Sequence, residues 1–265
     1  SIYKKSITIF PEFPNTYFNL GNIYKELSKF KEAELFTRKA IKLNPKYEIA
    51  YLNLGTILIK SNRFDEAEKY LQKVIKLNPE NSRAYDNLGI ILMRDLTKLE
   101  EAEISIKKSI KLNPNNAISF CNLGAVLRKS LRLKEAELFT RKSIDLNPNY
   151  ALAYSNLGTI LRDLDRPSEA VVYAQRAIEL EPDYALGYSN YAGILSDLGD
   201  MNEAKRYGEI AIKLDPSITK AYYTLSSLYL NDKHNKFEDC LFQDQILKNK
   251  NMIQRMDIYF ARANI

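Results

Sequence analysis

The chain has 265 residues, 45% hydrophobic and 27% charged with nine glycines and nine prolines, a composition that excludes a disordered or low-complexity chain. A formal charge of +6 permits an acidic partner, a nucleic acid or a membrane surface and selects none. Two cysteines far apart, Cys121 and Cys240, and one histidine, His234, leave no zinc-spaced cluster. With no phosphate loop, no nucleophile elbow and no apolar run near the roughly 18 residues of a membrane span, the expectation is no metal, no cofactor, no membrane or nucleic-acid partner, and a reducing, cytoplasmic compartment.

In chain order, residues 1–13 read as the second helix of a repeat whose first helix is missing. Residues 14–47 form the first whole unit. From Tyr17 to Leu27, and again from Ala33 to Leu43, apolar residues recur three and four apart, which predicts two amphipathic helices joined by a short polar turn. Gly21 and Ala33 are small enough for close helix approach, and Tyr17, Leu20, Tyr24 and Phe30 fill the space around that contact. Pro45 ends the second helix, since a residue before proline is pushed out of the α region.

The pattern repeats over 48–81, 82–116, 117–150, 151–184 and 185–218. Three series run in phase through it: Pro11, Pro45, Pro79, Pro114, Pro148, Pro182 and Pro216 at intervals of 34 or 35 residues; Gly21, Gly55, Gly89, Gly124 and Gly158; and Ala33, Ala67, Ala102, Ala136, Ala170 and Ala204, each after a glutamate. The third unit carries its extra residue in the turn Arg94–Lys98, where an outward bulge is expected. The sixth has Tyr191-Ala192 in place of Leu-Gly. Residues 219–256 read as a degenerate seventh unit, with a longer turn over Asn231–Lys236 and Cys240 where alanine is expected, and 257–265 open a further first helix. With neither end capped, the chain reads as an excerpt of a longer protein.

Tyr17-x-x-Leu20-Gly21-x-x-Tyr24, followed by Ala33, Ala40 and Pro45, resembles the tetratricopeptide repeat, over about residues 1–230. Tyr17, Tyr51, Tyr85, Tyr154 and Tyr188, with Phe120 in the fourth unit, stand where that family often has tryptophan. The resemblance implies an all-α, right-handed superhelical solenoid of antiparallel helix pairs, with the first helix of each pair on the concave face.

On that face the sixth position of each unit is asparagine: Asn19, Asn53, Asn87, Asn122, Asn156 and Asn190, with Thr224 ending the series. Asparagine is a mediocre helix former whose amide needs partners. The row resembles the asparagine ladder in the tetratricopeptide arm of O-linked N-acetylglucosamine transferases, which implies a grip on an extended peptide; equally, each amide can bond a neighbouring helix and set the twist. Lys60, Arg94, Arg128, Lys129 and Arg162 near the first-helix ends, with Asp163 and Asp197 further along, suggest a groove basic in its middle and acidic later, suited to an acidic segment. The clamp of chaperone-tail-binding relatives needs lysine and asparagine four apart, positions held here by Phe18 and Asn22, then Leu52 and Thr56. Glu32, Glu66, Glu101, Glu135, Glu169 and Glu203 recur early in the second helices, at the positive end of the helix dipole.

The function expected is a non-catalytic scaffold that binds a protein or extended peptide. The alternative is a substrate-recruiting arm of a larger transferase, glycosyltransferase or sulfotransferase, whose catalytic domain lies beyond residue 265; Ile258–Ala263 resembles the last repeat of bacterial tetratricopeptide sulfotransferases. Self-association through open solenoid ends is a third reading.

Overall fold

Leu-Asn-Pro and its variants decide where helices stop. Asn44, Asn78 and Asn147 adopt extended backbone at the helix end, as a residue before proline must, and Asp215 does the same. Each side chain then accepts the backbone N–H two residues on, at 3.1 Å in Asn44 and Asn147, 3.0 Å in Asn78 and 2.8 Å in Asp215. The turn is thus held by an Asx bond where proline has removed a donor.

The computed structural model describes residues 12–228, 241–247, 250 and 252–264. The helix expected over 1–13 lies almost wholly outside these, as do the turn Asn231–Lys236 and Cys240. The described residues form fourteen α-helices and two short 3-10 turns, with no strand among them. They run as α1 (Pro14–Glu26), α2 (Phe30–Leu43), α3 (Glu48–Lys60), α4 (Phe64–Leu77), α5 (Ser82–Leu92), α6 (Leu99–Leu112), α7 (Ala117–Lys129), α8 (Leu133–Leu146), α9 (Ala151–Asp163), α10 (Pro167–Leu180), α11 (Ala185–Asp197), α12 (Met201–Leu214), α13 (Thr219–Leu228) and α14 (Met252–Ala263). The all-α fold of helix pairs expected from the period is the one observed. Two compact units divide within α7, one ending at Asn122 and the other starting at Leu123.

In the first unit the close contact of each pair is built on glycine and alanine. A Cβ on Gly89 would overlap Ile106 Cγ1 and lie 3.2 Å from the Ala102 carbonyl oxygen. Tyr51, Leu54, Leu58, Ala67, Leu71 and Val74 form the core between α3 and α4. Burying each of its larger side chains is worth about 1.5–3 kcal/mol. The tyrosine that replaces tryptophan has a reason visible here: Tyr51 donates its hydroxyl to the Pro45 carbonyl at 3.2 Å. The extra residue of the third pair is taken up by a 3-10 turn, Leu96–Lys98, whose start is capped by Asp95 accepting from the Thr97 N–H at 2.9 Å.

In the second unit Leu157, Leu161, Ala170, Ala174, Tyr191, Ile194 and Ala204 make a continuous core. Tyr222, Leu225, Leu241, Ile246, Ile258 and Ala261 join α13 to α14 in another. Tyr222 repeats the tyrosine–proline link, donating to the Pro216 carbonyl at 3.1 Å. The turns inside the pairs carry left-handed residues: Asn62 at φ 59° in the first unit, Leu131 at 59° and Gly199 at 82° in the second. Asparagine and glycine adopt this region readily, whereas a leucine there is strained.

Candidate interaction surface

Within each unit the first helices of successive pairs pack on one another, α3 with α5, α9 with α11, and α11 with α13. These first helices carry Asn53, Asn87, Asn156 and Asn190, with Thr224 on α13.

The structure resolves what the asparagine amides do. In the first unit Asn53 donates to Thr37 Oγ1 at 3.2 Å and accepts from Lys25 Nζ at 3.0 Å. Asn87 reaches Thr56 Oγ1 at 3.4 Å, and Asn122 donates to Asp86 Oδ2 at 3.0 Å. In the second unit Asn190 donates to Ser155 Oγ at 2.9 Å and accepts from Lys220 Nζ at 3.0 Å. Each of these side-chain bonds ties one helix pair to an adjacent pair. Asn53, Asn122 and Asn190 are buried. Asn19 and Asn87 are half-buried, as is Asn156, whose backbone carbonyl accepts from the Thr159 hydroxyl at 2.8 Å.

Two exceptions show how this ladder works. Thr224 takes the asparagine position after Asn190, but its hydroxyl turns back to the Lys220 carbonyl at 3.2 Å. Ser189, which stands before it as Ser155 stands before Asn190, is fully buried with no partner for its Oγ. Asp86 is the one carboxylic acid among the buried residues described, and its Oδ1 is also unpaired. Burial pushes its carboxyl above the usual range, opposed by hydrogen bonds from Asn122 and Ser119.

The basic residues divide. In the first unit Lys60 is exposed at the end of α3, whereas Arg94 turns away onto the Phe64 ring of α4, 3.6 Å from its centroid. Burial there lowers the guanidinium below its ordinary value. In the second unit Lys129 is exposed, and Arg128 and Arg162 are held by carboxylates of the next first helix. Arg128 Nε lies 2.6 Å from Asp163 Oδ2, and Arg162 engages both oxygens of Asp197. These pairs are a third exposed, so each is worth about 0–1 kcal/mol. Arg128 and Arg162 of the expected basic stretch thus meet Asp163 and Asp197 of the expected acidic one as ion pairs within the second unit.

Sequence reasoning missed a network on the second helices. Arg38 donates to Glu34 at 2.8 Å and to the Tyr70 hydroxyl at 2.6 Å, while Arg63 forks onto Glu66 at 2.6 and 2.8 Å and also reaches Glu34. The second unit repeats it with Glu137, Arg141, Arg166, Glu169 and Tyr173. Hydrogen bonds from Arg63 hold Glu66 below the usual carboxylate range, and Arg166 then Arg141 do the same to Glu169. A signal was present: Lys31–Lys39 recurs residue for residue as Lys134–Lys142.

Lys220 stands apart. It is the second residue of α13 and lines a cleft of about 570 Å³ with Leu186, Ile218, Thr219, Lys250 and Asp257. Burial, then repulsion from Arg162 and Arg128, lowers its ammonium to about 8, against the pull of Asp163 and Asp257.

No helix among the described residues is long and apolar enough to cross a membrane, and no group of ligating side chains among them could hold a metal ion. No curated protein sequence matches the chain. The chain resembles the solved structure of the APC/C hetero-tetramer Cut9–Hcn1, with a TM-score of 0.76 at 18% identity, covering 86% of this chain and 45% of that one. Yeast Tom70 aligns with 99% of this chain and 57% of its own, with a TM-score of 0.66 at 20% identity. YrrB, described as a TPR protein with an unusual peptide-binding site, aligns with 71% of this chain and 96% of its own, with a TM-score of 0.51 at 23% identity. The chain thus spans about half the length of the first two. Tetratricopeptide-repeat sequence models match residues 2–34, 26–89, 82–116, 151–184 and 185–218. With the helix pairs in the same register, these matches place the chain in the tetratricopeptide-repeat family.

Proposed function

We propose that the chain is a non-catalytic scaffold that receives an extended segment of a partner protein along its first-helix side. The observation that carries this is a register of exposed aliphatic side chains at the second residue of the first helices. Ile49 is 54% exposed and Ile118 47% in the first unit, and Leu186 is 42% exposed in the second. Apolar side chains left exposed at one repeat position are what an extended chain with alternate side chains can use. The half-buried Asn19 and Asn87 offer amide groups on the first helices, while Asn53, Asn122 and Asn190 hold successive pairs in register. An acidic segment would compete with Asp163 and Asp197 for Arg128 and Arg162, with Lys60 and Lys129 adding charge, so its binding should weaken with salt. The peptide-binding site described for YrrB, a chain of similar fold, supports the same reading.

A displayed peptide library panned against the intact chain tests it. Ile118→Glu and Leu186→Glu should each lower capture at least tenfold, while Leu35→Glu and Leu138→Glu, on exposed second-helix positions, leave it unchanged. Capture lost only in the second-helix variants would refute the assignment of the face.

A further inference from the structure

Lys220 differs from Arg128 and Arg162 in what holds it. Arg128 and Arg162 each have a carboxylate in contact, whereas Lys220 has none at ion-pair distance among the described residues. Its acceptor is a neutral amide oxygen, Asn190 Oδ1, at 3.0 Å. The groups that act on its charge come from several elements: Arg128 on α7, Arg162 and Asp163 on α9, and Asp257 on α14. Asp183, Asp215 and Lys250 line the same cleft, and Asp197 is held by Arg162. An amine on a residue that lines this cleft, tethered to a neutral acceptor and repelled by two guanidiniums more than it is drawn by two carboxylates, gives up its proton more readily than an ordinary lysine.

We propose that Lys220 is an acylation site, a primary amine that takes an activated acyl group from a thioester or acyl phosphate entering this cleft. The nitrogen lone pair attacks the acyl carbon, a C–N bond forms as the C–S or C–O bond breaks, and the proton shed by nitrogen leaves with the thiolate or phosphate. The product amide keeps an N–H for Asn190 Oδ1 and loses the positive charge. Acylation therefore makes the first-helix side of this unit more acidic without cutting the link between pairs.

With an ammonium near 8, about one amine in five is neutral at pH 7.4, against about one in a thousand for an ordinary lysine near 10.4. That roughly 200-fold larger population exceeds the loss in nucleophilicity, about tenfold if the amine follows a Brønsted slope of ~0.4–0.5. Partial burial takes back some of the remainder.

The test incubates the full chain with acetyl-coenzyme A, and in a parallel arm with acetyl phosphate, from pH 6.5 to 9.5. Acetylation of each lysine is followed by peptide mass mapping, with exposed Lys60 as the internal reference. Lys220 should react roughly five- to tenfold faster than Lys60 at pH 7.4 in at least one arm, and the arm that does so names the donor class. Its rate should level off above about pH 8. Arg162→Gln should shrink the advantage; if that variant does not fold, the wild-type profile decides alone. Lys220 reacting no faster than Lys60 in both arms, or a rate still climbing at pH 9.5, overturns the proposal.

Discussion

Thr224→Asn should complete the asparagine ladder where it breaks. Ser189 and residue 224 have the same 35-residue offset as Ser155 and Asn190, whose side chains meet at 2.9 Å. Ser189 Oγ is buried without a partner, which costs about 1–3 kcal/mol. The new amide would satisfy it, at the loss of the 3.2 Å bond from the Thr224 hydroxyl to the Lys220 carbonyl, a bond worth about 0.5–1.5 kcal/mol. The expected net gain is about 1 kcal/mol, or roughly a fivefold smaller opening constant. Because neighbouring pairs of a repeat array can open separately from the rest, amide hydrogen exchange in α11 and α13 is the suitable assay. The control is Ser189→Ala, which should be neutral or stabilising in the wild type and destabilising in the Thr224→Asn chain. A double-mutant cycle with no coupling, within about 0.3 kcal/mol, would refute the reading of the asparagines as ties between pairs.

Gly89→Leu should destabilise the first unit by about 1–3 kcal/mol or more, because even a Cβ there overlaps Ile106 and sits 3.2 Å from the Ala102 oxygen. Urea midpoints would show it, Ile106→Ala should recover part of the loss, and an unchanged midpoint would contradict the packing described. Asp86 has a raised carboxyl value, so its contribution is most favourable while it is protonated and is lost as pH climbs through the raised value. The stability of the wild type relative to Asp86→Asn should therefore fall between pH 4 and pH 8, and a constant difference in urea midpoint would exclude an ionising buried acid. Leu131 combines a φ of 59° with 83% exposure, so Leu131→Gly removes strain of about 1 kcal/mol and no buried contact. Part of the gain returns as unfolded-chain entropy; thermal unfolding should still show a net rise of a degree or two, and a lower melting temperature would count against the strain.

The period, the helix pairs and their turns were legible in the chain alone, because they rest on local chemistry. Proline forbids helix at the residue before it, an Asx side chain closes the turn, and glycine facing alanine lets two helices touch. These effects act within one repeat and recur with it. The direction of the asparagine amides was not legible. A periodic position says which side of a helix a residue occupies, but its partner depends on which residue stands opposite: Thr37 on a second helix, Thr56 on a first helix, or Asp86 and Ser155 at the fifth position of the preceding unit. The charges failed to read for the same reason. Arg128 and Arg162 looked like free basic groups until the next first helix brought Asp163 and Asp197 against them. Glu66 and Glu169 fitted a helix dipole until Arg38 and Arg141 arrived from the preceding pairs. Sequence by itself thus determined the repeat, since each unit carries its own helix, turn and packing signals; only the stacking of one pair on the next decided which polar groups serve as ties and which, like Lys60, stay exposed to solvent.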